Sequence, residues 1–137
     1  MSDLLALQEE KFSKIGSFLK DEDRNSEVNH TFNKEQNDVQ CIYALVVDEI
    51  VLYIGKTKNL RGRMDTYRSH SQTGRSKRNY SSIKQSLEQG KSVKVYIKKF
   101  PEEYSFEGEQ VNSMIFHEYK SICKFNPLWN FQVFNIE

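Results

Sequence analysis

Apolar and polar positions follow one another along this chain in blocks whose period changes several times, and each period implies an element. Leu4, Leu7, Phe12, Ile15 and Leu19 recur at roughly helical spacing, which predicts an amphipathic helix over residues 3–19. Residues 20–38, KDEDRNSEVNHTFNKEQND, are polar and aperiodic and read as a linker or irregular arm. The compact part then starts near Val39. Residues 1–38 become an N-terminal extension whose apolar helical face needs a partner: the domain, a second subunit, or both.

The run CIYALVVDEIVLYIG, residues 41–55, is two β-rich segments around Asp48-Glu49 and predicts a hairpin. Asp-Glu is a poor two-residue turn, because neither residue takes positive φ as readily as Gly or Asn. A two-residue loop would pair Tyr53 with Ala44 and leave Tyr43 on the opposite face. A loop of odd length centred on Asp48 would pair Tyr43 with Tyr53 on one face, and that register is expected here. After Gly55 the pattern turns helical: Asn59 or Thr57 can cap, and Leu60, Met64 and Tyr67 share a face.

SHSQTGRSKRN, residues 69–79, is a polar, basic loop, and residues 80–89 form a short helix stopped by Gly90. In residues 92–100 Val93, Val95 and Ile97 alternate with Lys94, Tyr96 and Lys98, a third strand that ends before Pro101. A helix over 107–123 carries Val111, Met114, Ile115, Glu118 and Ile122 on one stripe, and the tail is a turn at Pro127 followed by a short extended segment. These elements predict an α+β fold, an α/β sandwich with a small, three-stranded, mainly antiparallel sheet flanked by helices. Two units are expected: the arm of residues 1–38, serving oligomerisation or contact with the partner molecule, and the domain of residues 39–137 with a basic insert at about 69–79.

Composition changes the picture in one respect. The 137 residues carry a net charge of only +1, but residues 53–100 hold thirteen of the twenty Lys and Arg and two of the nineteen Asp and Glu. That block is +11 against −10 for the rest, and a one-signed block of this length suggests a polyanionic partner. No apolar run approaches the roughly 18–20 residues that span a bilayer, and the N-terminal residues do not read as a signal peptide. Cys41 and Cys123 are far apart without metal-ligand spacing and read as reduced thiols, which suits a cytoplasmic protein.

Among residues able to do chemistry, Glu118 is out of place. It lies four residues after Met114 and four before Ile122, on the face that should meet the core, where carboxylates are paired, bind metal or act. Arg63 and Tyr67 are spaced to project together from one helix, and arginine offers a planar fork to phosphate. The segment GKTKNLRGR lacks the glycine spacing of a nucleotide-binding loop. His30, His70 and His117 have no neighbours suited to zinc, and no Ser-His-Asp set is placed.

Together, Cys41-Ile-Tyr43, Tyr53-Ile-Gly55, the following Lys-Thr-Lys-Asn-Leu-x-x-Arg63, a carboxylate in a later helix and Asn-Pro-Leu-Trp-Asn130 resemble the GIY-YIG nuclease family over about residues 40–131. The resemblance implies site residues Tyr43, Tyr53, Arg63, Tyr67, Glu118 and Asn130. Cys41 stands where the motif has glycine, which an ordinary strand conformation would tolerate. The activity implied by the resemblance is metal-dependent hydrolysis of double-stranded DNA. Glu118 would hold one Mg²⁺ per site, with Mn²⁺ able to substitute. Arg63 would stabilise charge on the phosphate, and Tyr43, lowered in pKa by its neighbours, would act as general base.

Lys56, Arg61, Arg75, Lys77, Arg78 and Lys84 are the expected DNA contacts, with Arg75, Lys77 and Arg78 on a flexible finger and Lys91, Lys94 and Lys98 as further phosphate contacts. A site of this type cuts one strand, so a homo-oligomer, dimer or tetramer, is expected for a double-strand break. Chain size, the N-terminal arm and the basic insert resemble a phage member of the family, implying restriction-like degradation of host DNA with unmodified cytosine in the host cytoplasm. A non-catalytic DNA-binding module and an RNA-binding or RNA-processing protein are the competing readings.

Overall fold

The computed structural model describes residues 2–24, 27–68, 74–100, 104–111 and 113–131. In chain order the elements are α1 (Asp3–Glu9), β1 (Ser13–Asp21), β2 (Glu27–His30), β3 (Cys41–Val47), β4 (Ile50–Thr57), α2 (Leu60–Thr66), α3 (Gly74–Glu88), β5 (Val93–Lys99), β6 (Tyr104–Phe106), β7 (Glu109–Val111), α4 (Met114–Phe125) and α5 (Leu128–Phe131). The first five strands make one antiparallel sheet in the order β2-β1-β5-β3-β4. Strands β6 and β7 form a separate hairpin.

The α+β class and the antiparallel sheet with flanking helices are as expected, but the main sheet has five strands rather than three. The two additional strands come from the segment read as helix and linker. Helix α1 stops at Glu9, Lys11 takes a left-handed φ of 72°, and β1 pairs along β5. Phe18 goes to one core and Phe12 to the other, while Ile15 and Leu19, which helical spacing placed on the buried stripe, are exposed. A Cβ at Gly16 would lie 2.8 Å from Thr31 Oγ1 and 2.9 Å from the Phe32 ring, so the glycine lets the chain after β2 fold across β1.

Strand β3 is buried on both faces, which explains why CIYALVV does not alternate. Tyr43, Leu45, Tyr53, Val93, Val95 and Ile97 pack with α2 and α3 residues in one core. Ile42, Ala44, Ile54 and Tyr96 pack with α1 and Phe125 of α4 in the other. Cys41 sits in regular strand, as its tolerated place in the motif requires, and burial pushes its thiol up to about 12.

The hairpin does not take the expected register of Tyr43 opposite Tyr53, but it brings the two tyrosines to one face by another route. Its turn has two residues, with Asp48 and Glu49 at φ of 52° and 64°, so the odd-length loop is not what forms. The ladder runs Val47 to Ile50 and Val46 to Val51, then shifts by one residue at Leu52, so that Leu45 faces Tyr53 and Tyr43 faces Gly55. This β-bulge returns Tyr53 to the face of Tyr43. Their ring centroids are 6.0 Å apart.

Two other elements differ from the sequence reading. Helix α3 begins at Gly74, so the stretch carrying Arg75, Lys77 and Arg78 is helical rather than a flexible finger, while residues 69–73 lie outside the described residues. The predicted helix over 107–123 is a β-hairpin turning at Glu107-Gly108, both at positive φ, with α4 starting only at Met114. Val111 therefore lies on β7, and Ile115 is 58% exposed, which leaves Met114, Glu118, Ile122 and Phe125 as the inward stripe. After Pro127 the chain forms the short helix α5 rather than an extended segment, and residues 132–137 lie outside the described residues.

A Cβ on Gly55 would stand 2.5 Å from Tyr43 Oη and 2.6 Å from Cζ, a clash with a ring that has no room to move. Gly55→Ala is expected to destabilise the fold by about 1–3 kcal/mol, the usual range for overpacking, measured by urea denaturation.

Candidate active site

Helix α2 is brought to the sheet by its N-terminal cap. Asn59 Oδ1 accepts from Gly62 N–H at 2.9 Å, while Thr57 Oγ1 accepts from Asn59 N–H at 3.1 Å and donates to Asn59 O at 3.0 Å. The polar residues of GKTKN thus close a turn instead of cradling a nucleotide. Leu60, Met64 and Tyr67 bury the inner face of the helix, and Arg63 is directed toward the tyrosines.

Tyr43 and Tyr67 are hydrogen-bonded hydroxyl to hydroxyl at 2.6 Å, and Asn79 Nδ2 donates to Tyr67 Oη at 3.3 Å. Arg63 also hydrogen-bonds Tyr67. Asn79 is a residue the sequence reading missed. It is buried on α3 four residues before Ile83, a signal hidden by reading its segment as loop.

Burial, first of all, holds the Tyr43 phenol well above its ordinary value, with Tyr67 and Tyr53 adding to the effect and Arg63 opposing it. Tyr53 is also raised, chiefly by burial, against the charge and hydrogen bond of Arg75. The lowered Tyr43 pKa expected from its neighbours is therefore not found, because desolvation outweighs the nearby cation.

Tyr53, Gly55, Lys56, Arg63, Gly74, Arg75, Arg78 and Glu118 line an open pocket of about 480 Å³. Glu118 reaches it from the middle of α4 and is half-buried. Burial raises its carboxyl above the usual range, while Lys56, Arg75 and Arg63 pull it back. A second cleft of about 370 Å³, lined by Lys56, Thr57, Lys58, Arg63, Met114 and Ile115, shares Lys56 and Arg63 with the first. Cations line both.

Asn130 does not line the pocket. Its Oδ1 accepts from Ile54 N–H and its Nδ2 donates to Ile54 O, both at 2.8 Å, so its amide serves as the missing strand partner on the free edge of β4. It fixes the strand that carries Tyr53 and Gly55.

The predicted DNA contacts separate. Lys56, Arg75 and Arg78 line the pocket, whereas Arg61 is ion-paired with Asp65 at 3.5 Å and lies outside it. Lys77 is exposed on α3, and Lys84 Nζ lies 6.0 Å from the centre of the Tyr80 ring. Lys91 pairs with Asp48 at 3.5 Å, Lys98 lies over the Phe100 ring, and Lys94 lines a cleft with Leu4, Asp48 and Tyr96.

Among the described residues no group of three or more His, Cys, Asp or Glu could hold a metal ion. Among the described residues Glu118 is the one carboxylate lining the pocket. That donor set does not form a protein cage, but it fits a hard cation shared with phosphate oxygens and water.

These features define an α+β protein with an electropositive pocket, one carboxylate and a buried tyrosine network. A family model described as the GIY-YIG catalytic domain matches residues 39–128, and the chain belongs to the GIY-YIG family. Two solved structures share the fold. The E118A mutant of bacteriophage T4 EndoII superposes with a TM-score of 0.77 at 24% identity, over 94% of this chain and 98% of that one. Restriction endonuclease HPY188I in complex with product DNA gives a TM-score of 0.53 at 18% identity, over 90% of this chain and 78% of that one. No curated protein sequence matches the chain significantly.

Removing the Asn130 amide leaves the buried Ile54 N–H and C=O without partners. Asn130→Ala is expected to cost about 2–6 kcal/mol in chemical denaturation, each of the two orphaned groups contributing roughly 1–3. In Asn130→Asp a carboxylate oxygen would face the Ile54 carbonyl, whereas the protonated acid could donate to it. The introduced group then has a raised folded-state pKa, so the variant is expected to lose stability relative to wild type as pH rises from 4 to 7.

Proposed function

We propose that this protein is a metal-dependent endonuclease that hydrolyses phosphodiester bonds in double-stranded DNA. The observation that carries the reading is the pocket itself: Glu118 is half-buried among Lys56, Arg63, Arg75 and Arg78, in a pocket that Tyr53 also lines and behind which Tyr43 is buried against Tyr53. Four cations around one carboxylate leave a net positive site that a phosphodiester would neutralise. Family membership and the endonuclease names of both fold neighbours, one of them bound to DNA, support the same reading.

In this reading Glu118 holds one Mg²⁺, for which Mn²⁺ can substitute, and the bound ion supplies charge neutralisation at the scissile phosphate and leaving oxygen. The guanidinium of Arg63 grips the non-bridging oxygens and stabilises the charge that grows there. Lys56, Arg75 and Arg78 hold the backbone on either side. Tyr43 as phenolate takes a proton from the attacking water after its own proton has passed to solvent, and Arg63 is the neighbour whose charge favours that phenolate. Burial keeps Tyr43 protonated in the free protein, so its activation belongs to the substrate complex.

A double-strand break needs two such sites, so the reading includes a homodimer or homotetramer. Given the T4 EndoII fold, it also includes restriction-like cutting of host DNA with unmodified cytosine during phage infection, in the host cytoplasm. No helix among the described residues is long and apolar enough to cross a membrane.

Supercoiled-plasmid cleavage with Mg²⁺ or with EDTA tests the reading. Wild type is expected to nick and linearise DNA only with the metal. Glu118→Ala should lose cleavage yet still retard duplex DNA in a gel. Metal-independent nicking would exclude the mechanism, and no cleavage by wild type would favour a binding module.

Tyr43→Phe separates the general base from the rest of the site. It is expected to slow cleavage by about 100-fold or more, the usual contribution of positioned proton transfer, with KM for DNA little changed. A rate within a few-fold of wild type would assign the proton to another group.

A further inference from the structure

On the outer side of α2, His30 and Asp65 form a cluster that the proposed reaction does not use. The His30 side chain is 2% exposed, and its Nε2 lies 2.6 Å from Asp65 Oδ1. Its Nδ1 accepts the Phe32 main-chain N–H at 3.1 Å. An accepting Nδ1 leaves the proton on Nε2, so the ring is the neutral tautomer donating to Asp65. The ring stands edge-on to Phe18 and Phe32, and Phe18 in turn packs on Tyr67. His30 itself is held by Asn29, whose Oδ1 accepts from His30 N–H and whose Nδ2 donates to Asp21.

Asp65 falls between Arg63 and Tyr67. Helix α2 has seven residues, too few to be stable through its own hydrogen bonds. Its first turn is held by Thr57 and Asn59, and its last by Asp65. The Arg61 and Arg68 guanidiniums also approach Asp65, at 3.5 and 3.7 Å, beyond hydrogen-bonding range. The short contact is the one to His30, and it ties the helix to the end of β2.

We propose that His30 is a positioning residue of the site, and that its Nε2–H bond to Asp65 fixes the turn of α2 that places Arg63 and Tyr67. This rests on the nuclease reading for its kinetic consequence but not for its geometry. The charged groups facing His30 are Asp65, Arg61 and Arg68 of α2. Phe18 from β1 and Phe32, through its ring and its backbone N–H, also lie against it. Protonation would put a second N–H on Nδ1 against that of Phe32, so the tether as built needs the neutral ring. Burial, opposed by Asp65, holds the imidazole below its usual 6.5. A lowered folded-state value means that the stability it contributes is present above about pH 6.5 and is lost as pH falls from there.

Two variants separate the bonds of the ring. His30→Gln can keep a donor for Asp65, while His30→Asn can keep an acceptor for Phe32 N–H but does not reach Asp65. Plasmid-cleavage kinetics at pH 7.5 and the NMR signal of Arg63 Nε–H in the free protein would be recorded for both. His30→Asn is expected to lower kcat by about tenfold to 100-fold, as misplacement of a reacting group does, with KM within about twofold. It should also move the Arg63 signal. His30→Gln is expected to restore kcat to within about threefold of wild type and to leave that signal in place. Wild-type kinetics in His30→Asn, or equal losses in both variants, would overturn the proposal. If wild type does not cleave DNA, the proposed function fails, and the Arg63 signal alone decides: a shift confined to His30→Asn upholds the tether and an unmoved signal refutes it.

Discussion

The close approach of Tyr43 to Gly55 is the contact on which the site depends. Tyr43 comes from β3, an interior strand buried on both faces, and its ring crosses the next strand where there is no side chain. Only a glycine there lets the phenol lie against the backbone and reach the hydroxyl of Tyr67. The register that puts Gly55 opposite Tyr43 is set by one extra residue, Leu52, in a hairpin whose tight turn would otherwise send Tyr53 to the other core. The bulge thus decides whether Tyr53 lies on the face of Tyr43 and lines the pocket.

Around that contact, three elements each contribute what the sheet lacks. Helix α2 brings Arg63 and Tyr67, α3 brings Asn79, Arg75 and Arg78, and α4 brings Glu118. The free edge of β4 is closed by the Asn130 amide. The charges are not balanced within the pocket: four cations surround a carboxylate whose burial disfavours its ionised form. Such an arrangement opposes folding, and unbalanced charge of this kind clusters at functional sites.

Much of the site was legible because its chemistry lies in short local patterns. The hairpin, the Asn59 cap, the Leu60-Met64-Tyr67 face and the misplaced Glu118 all follow from spacing. Strand β1 was not legible, because Phe12, Ile15 and Leu19 fit helical spacing, and the partner that makes the segment a strand is β5, distant in the chain. Strand β2 shows only Val28 as a buried apolar residue, too little for a period. The first turn of α3 hid for a different reason. Its buried residue is the polar Asn79, which hydrophobic patterning passes over, and its cations resemble a loop. Glu107-Gly108 is a turn signal that the helical stripe from Val111 to Ile122 overrode. The route by which Tyr43 and Tyr53 share a face was also out of reach, since a bulge leaves no mark in composition.

The register of the β3–β4 hairpin is the claim from which the rest follows, and cross-strand NOEs in the free protein measure it directly. The account predicts that Tyr53 lies opposite Leu45 and that Gly55 lies opposite Tyr43, with an irregularity at Leu52. NOEs placing Tyr53 opposite Ala44 would contradict it. They would put the two tyrosines on opposite faces of the sheet and take Tyr53 out of the pocket.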